Sequence, residues 1–99
     1  MSTSLATNNS AIMHNFTFYE DPGHGWLEVP IELIRMYNLK DQITSYSYMD
    51  KDNVYLEEDC DAGVLLRHLK ANGIQYRIRD EYHENIFIRD LGRFQPRKV

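Results

Sequence analysis

The chain has 99 residues, enough for one domain with its own core but not for two. It is 42% apolar and 26% charged, with a formal charge of −4, ordinary values for a folded globular chain. Net acidity disfavours broad non-specific nucleic-acid binding, which needs phosphates to be neutralised. A single cysteine, Cys60, excludes an internal disulfide.

Residues 1–13 begin with a Ser/Thr/Asn-rich stretch that lacks the charged start and apolar centre of a signal peptide, and a flexible N-terminal tail is expected there. The single domain is expected over 14–91, and a loose C-terminal tail over 92–99. Asn15–Tyr19 alternates, with Phe16 and Phe18 on one face and Thr17 and Tyr19 on the other, which predicts a strand. Asp21-Pro-Gly23 predicts a turn, with Gly23 and Gly25 free to take positive φ. Trp26–Val29 returns as a strand. Pro30 suits the first turn of a helix, whose buried face combines Ile31, Leu33, Ile34 and Tyr37 and which Asn38 ends.

A second unit repeats this plan. Ile43–Met49 predicts a strand, Asp50–Asn53 a polar turn and Val54–Glu57 the return strand. A helix capped by Asp59 or Asp61 is expected to run to about Asn72. Its buried stripe is Ala62, Leu65, Leu66 and Leu69, and Gly73 stops it in the left-handed region. Sliding the chain by 29 residues places Tyr19 on Tyr48, Asp21 on Asp50, Leu27 on Leu56 and Glu28 on Glu57. The identities are few, so duplication and convergence on one plan both remain open.

Ile74, Tyr76 and Ile78 then alternate with Gln75, Arg77 and Arg79. A third hairpin is expected, turning over Asp80–Glu84 and returning over Asn85–Arg89. The order ββα-ββα-ββ predicts an α+β fold: a twisted antiparallel sheet with both helices packed on one face and Tyr, Thr and Arg on the other.

No stretch here specifies a reaction. His24 stands between two glycines, which leave it open to a ligand, and could act with Glu28, Glu57 or Asp59 as a base or ligand contact. The same glycines equally serve a hairpin tip, and they lack the Gly-Lys-Ser/Thr ending of a phosphate loop. Glu57, Glu58, Asp59 and Asp61 form an acidic run without the oxygen-ligand spacing of a calcium loop, and acids before a helix also stabilise its positive end. His14, His68 and His83 have no zinc-like spacing with Cys60, which is expected to be a buried or half-buried structural thiol. No metal and no cofactor are expected. Arg77, Arg79 and Arg89 on a sheet beside aromatic rings would suit single-stranded nucleic acid, although neighbouring acids dilute that pattern.

The blocks Asp21-Pro-Gly-His-Gly-Trp-Leu-Glu-Val-Pro30, Tyr46-Ser-Tyr48 and Tyr55-Leu-Glu-Glu-Asp-Cys-Asp61, in this order, resemble a family of small proteins carried by bacteriophages, plasmids and other bacterial mobile elements. The resemblance spans Phe16 to Gly73 and carries over no catalytic roles. It implies an accessory protein working in the bacterial cytoplasm, with a host or defence protein as partner. A partner surface is expected from Trp26, Tyr46, Tyr48 and Tyr55, rimmed by Glu57, Glu58 and Asp59, because Trp and Tyr concentrate at interface centres. An exposed edge strand would also allow a homodimer. No run approaches the length needed to span a bilayer.

Overall fold

In the computed structural model, which describes residues 13–99, an aspartate folds the hairpin turn of each of the first two units. Asp21 Oδ1 accepts the backbone N–H groups of Gly23 and His24 at 2.9 and 2.8 Å. Asp50 Oδ1 does the same for Asp52 and Asn53 at 2.9 and 2.7 Å. These side chains mimic a backbone turn and reverse the chain without positive φ. Positive φ is confined, among the described non-glycine residues, to Asn38, and among glycines to Gly73, the two helix stops. Gly25 is required for another reason: a Cβ there would come within 2.4 Å of the Phe18 ring.

The turns join strands β1 (Met13–Glu20) and β2 (Gly25–Pro30), then β3 (Tyr48–Met49) and β4 (Asn53–Glu57). Helix α1 (Ile31–Met36) follows β2, and α2 (Gly63–Ala71) follows β4 through one π-helical turn (Glu58–Ala62). Strands β5 (Gln75–Tyr82) and β6 (Gly92–Arg93) complete a six-stranded sheet of order β5-β1-β2-β4-β3-β6. The fold is α+β, and the sheet is mixed: β5 runs parallel to β1, while the other neighbours are antiparallel.

The repeat is expressed in the register. Tyr19 faces Trp26 and Glu20 faces Gly25; 29 residues on, Tyr48 faces Tyr55 and Met49 faces Val54. Between the units Leu27 faces Leu56, its own equivalent, and the Trp26–Glu57 and Glu28–Tyr55 pairs exchange under the same shift. A pseudo-two-fold axis therefore passes between β2 and β4 at the centre of the sheet.

One sheet face carries Phe16, Leu27, Val29, Val54 and Leu56, and the buried residues of α1 (Ile31, Leu33, Ile34) and α2 (Leu65, Leu69) pack into the same core. The opposite face carries Trp26 and Tyr55. It is not open, because Ile86 and Ile88 from the C-terminal third bury both rings.

Several expectations are corrected here. Ile43–Met49 is a strand only at Tyr48–Met49; Lys40–Gln42 makes a 3-10 turn and the segment after it loops. The third hairpin does not form. β5 joins β1 instead, after a crossover through α2, and Phe87–Asp90 is a 3-10 turn rather than a return strand. The alternation of Ile86 and Ile88 fits both outcomes, since each places two apolar groups against a neighbouring layer. Residues 92–99, expected as a loose tail, hold β6, the buried Phe94 and a 3-10 turn at Pro96–Lys98. The N-terminal tail lies outside the described residues, except for Met13, which opens β1.

Asp61, expected as a helix cap, is instead fully buried. Its carboxylate accepts the Thr44 N–H at 3.1 Å, the Thr44 hydroxyl at 2.8 Å and the Ser47 hydroxyl at 2.5 Å. Glu57 holds the start of the π-turn, accepting the Cys60 N–H at 2.9 Å. A buried carboxylate is tolerated only with this degree of satisfaction. Asp61→Asn turns an amide donor towards these donors, and a loss of about 3 kcal/mol is expected in urea unfolding. Asp59→Asn, on the exposed side of the same turn, is expected to change stability by less than about 0.5 kcal/mol.

Candidate functional site

The surface expected from four aromatic rings is divided by the fold. Trp26 and Tyr55 are 1% and 2% exposed, whereas Tyr48 is half-buried and Tyr46 is 64% exposed. Tyr55 is closed off: its one hydroxyl proton is shared between Glu28 Oε2 at 3.0 Å and Asp50 Oδ2 at 3.3 Å. Burial, reinforced by the Glu28 carboxylate, drives its pKa upward, so it remains a phenol donor. This removes Tyr55 from a partner surface, and it removes Glu28 from the set of carboxylates available to His24.

The remaining expected residues, Glu58 excepted, meet in a cleft of about 360 Å³, lined by His24, Trp26, Tyr46, Tyr48, Glu57, Asp59, Cys60, Arg89 and Arg93. The Asp21 turn presents His24, the loop before β3 presents Tyr46, the start of β3 presents Tyr48, and the end of β4 with the π-turn presents the acids. Register explains one juxtaposition, since Trp26 lies opposite Glu57 across β2 and β4. His24 and Tyr48 meet the Trp26 ring edge-on, with centroids 6.0 and 6.1 Å away.

Two arginines were not foreseen here. Arg89 was expected beside Arg77 and Arg79 on a hairpin. The 3-10 turn carries it instead to Asp21, which it grips with both Nε and Nη2, with its guanidinium 5.2 Å from the centre of the Trp26 ring. Arg93, on β6, lies 4.5 Å over the Tyr48 ring and donates to the Ser45 and Tyr46 carbonyls at 3.4 Å. The arginines therefore occupy the faces of the two inner rings, and the open aromatic surface is Tyr46. No local sequence signal pairs Arg89 with Asp21, 68 positions away.

The cleft is lined by side chains of both charges. The His24 ring bonds the Gly23 carbonyl at 2.9 Å, and no carboxylate of the described residues bonds it. Cys60 is exposed, correcting the expectation of a buried thiol. Desolvation and the adjacent Glu57 carboxylate raise its pKa, the opposite of an activated nucleophile. Glu58 and Asp59 are exposed beside it and extend the acidic wall. Among the described residues, no group of three or more His, Cys, Asp or Glu is placed to hold a metal ion, and no helix is long and apolar enough to cross a membrane. Arg77 and Arg79 lie on the outermost strand, where Arg79 pairs with Glu81 at 2.9 Å.

No family model, curated protein or solved structure matches the chain.

The Asp21–Arg89 pair has a defined pH signature. The Arg89 hydrogen bonds hold the Asp21 carboxyl well below the usual carboxylate range, against an opposing desolvation effect and with help from the His24 and Gly23 N–H groups. An unfolded Asp titrates near about 3.9. Below that value the unfolded chain binds a proton that the folded chain refuses, so this stabilisation is present above about pH 4 and declines as the pH falls further. Asp21→Asn keeps the turn-forming oxygen and loses the ion pair. Relative to the unmodified chain it is expected to lose about 1–2 kcal/mol at pH 7, Arg89 being open to solvent, and progressively less towards pH 2, measured by urea unfolding across that range.

Proposed function

We propose that the protein is a non-enzymatic binding module that engages a protein partner through the Tyr46 side of the cleft. The observation that carries this reading is the position of Tyr46: an open ring at the mouth of a cleft walled on one side by Glu57 and Asp59, with Glu58 beside them. An exposed tyrosine on an ordered loop offers a large contact area at small entropic cost, and flanking charge selects the partner. The acidic wall favours a partner that places Lys or Arg beside an apolar group. The chain's net charge of −4 acts in the same direction at longer range.

The block resemblance supplies a setting for this reading: an accessory protein of a bacterial mobile element, acting in the bacterial cytoplasm on a host or defence protein. A second reading, a small-ligand site, is favoured by one observation, that His24 lines the same cleft as Glu57 and Asp59. The arginine-based nucleic-acid reading is weakened by the ion pairs of Arg79 with Glu81 and Arg89 with Asp21.

The test is capture from nuclease-treated bacterial lysate with four tagged baits: the unmodified chain, Tyr46→Ala, Asp59→Lys and His24→Ala. One dominant protein is expected on the unmodified chain and on His24→Ala. Tyr46→Ala and Asp59→Lys are each expected to weaken its binding at least about tenfold, measured by titration calorimetry with the purified partner. Equal capture by all four baits would move the interface elsewhere. Loss with His24→Ala alone would favour the small-ligand reading.

A further inference from the structure

The sheet has two edges, and only one is protected. At one end β6 is two residues long and is followed by Pro96, the short and interrupted kind of edge that resists pairing. At the other end β5 runs for eight residues, Gln75–Tyr82, with no proline or glycine. It pairs with β1 throughout its length and, among the described residues, has no strand on its far side. Ile78 and Tyr82 on it are 41% and 58% exposed.

The direction of the free backbone groups follows from the ladder. The His83 N–H donates to the Glu20 carbonyl at 2.9 Å, continuing the parallel pairing of β5 with β1. In a parallel ladder, alternate residues turn both backbone groups towards the neighbour. The odd-numbered residues of β5 therefore face β1, and Tyr76, Ile78, Asp80 and Tyr82 present N–H and C=O to the open edge.

We infer that this edge pairs with β5 of a second copy of the chain, antiparallel about a two-fold axis at Arg79. Such an axis must pass between a residue and its own copy. Two centres leave seven residues of β5 paired, and charge separates them. A centre at Ile78 sets Arg77 against Arg79 of the other copy at two places. A centre at Arg79 sets Arg77 against Glu81 twice and Tyr76 against Tyr82 twice, both favourable cross-strand pairs. The one like-charge contact left is Arg79 on Arg79, and each of these is already held by its own Glu81. Two six-stranded sheets thereby become one continuous sheet, and the cleft is left out of the contact.

The test is sedimentation velocity on the full chain over the micromolar range. A reversible monomer–dimer equilibrium is expected, weakened severalfold by 1 M salt. Arg77→Glu and Glu81→Arg are each expected to weaken self-association at least about tenfold, because each sets like charges opposite one another twice. Mixing the two variants restores opposite charge at both positions, and recovery to within about threefold of the unmodified affinity is expected, which also shows that both variants fold. Ile78→Pro, which removes an outward N–H and spares the ladder to β1, is expected to abolish the dimer. A chain that stays monomeric throughout the range overturns the inference. So does a dimer indifferent to Arg77→Glu and Ile78→Pro, or a mixture that fails to recover.

Discussion

The buried carboxyl of Asp61 is the constraint on which the half of the molecule that holds the cleft depends. A carboxyl group buried away from solvent must find hydrogen-bond partners, and those within reach belong to Thr44 and Ser47, more than a dozen residues earlier. Satisfying them pins the loop before β3 against the π-turn before α2. Ser47 passes the constraint on, since its hydroxyl accepts the Glu57 N–H at 2.9 Å and its carbonyl accepts the Phe94 N–H at 2.8 Å. One carboxylate thus fixes the loop that carries Tyr46, the end of β4 and the strand that carries Arg93. Polar networks of this kind specify one arrangement because a half-satisfied alternative is so unfavourable.

A second polar contact closes the opposite side. Arg89 on Asp21 draws the 87–90 turn down onto the sheet, and Ile86 and Ile88 then seal Trp26 and Tyr55 from water. The aromatic content of the chain is therefore spent mostly inside. Trp26 is packed between His24, Tyr48 and the Arg89 guanidinium, and Tyr55 between Tyr19 and Phe87. What remains outside among the described residues is Tyr46 at the cleft, Ile78 and Tyr82 along β5, and Met36 and Phe87 elsewhere.

The sequence foretold features that depend on near neighbours. Alternation in β1 placed Phe16 and Phe18 on the helix-covered face, helical spacing found Leu65 and Leu69, and Asn38 and Gly73 stop their helices with positive φ. The features it concealed depend on distant partners. Alternation from Ile74 to Arg79 is the same whether the strand pairs with a hairpin mate or, in parallel, with β1. An acidic residue before a helix reads as a cap, and nothing local distinguishes the exposed Asp59 from the buried Asp61. Trp26 and Tyr55 read as interface residues because their cover lies some thirty or more positions further on. Of the residues lining the cleft, His24, Tyr46, Tyr48, Glu57 and Asp59 were legible as candidates in the sequence, and neither arginine was legible in its observed position.

The pseudo-two-fold frame explains why the cleft occurs once. Asp21 and Asp50 build equivalent turns, and Trp26 and Tyr55 occupy equivalent places beside them. Left to the repeat alone, both ends of the frame would be alike. The C-terminal third makes them differ, because β5 extends one flank in parallel with eight residues while β6 extends the other with two. At the Asp21 end the second carboxylate oxygen goes to Arg89, brought in by that third; at the Asp50 end it goes to the Tyr55 hydroxyl from within the repeat. The first arrangement leaves a mixed-charge cleft with an open tyrosine, and the second a closed polar cluster. The mixed-charge cleft thus lies where a symmetric scaffold is broken by the segment that does not share its symmetry.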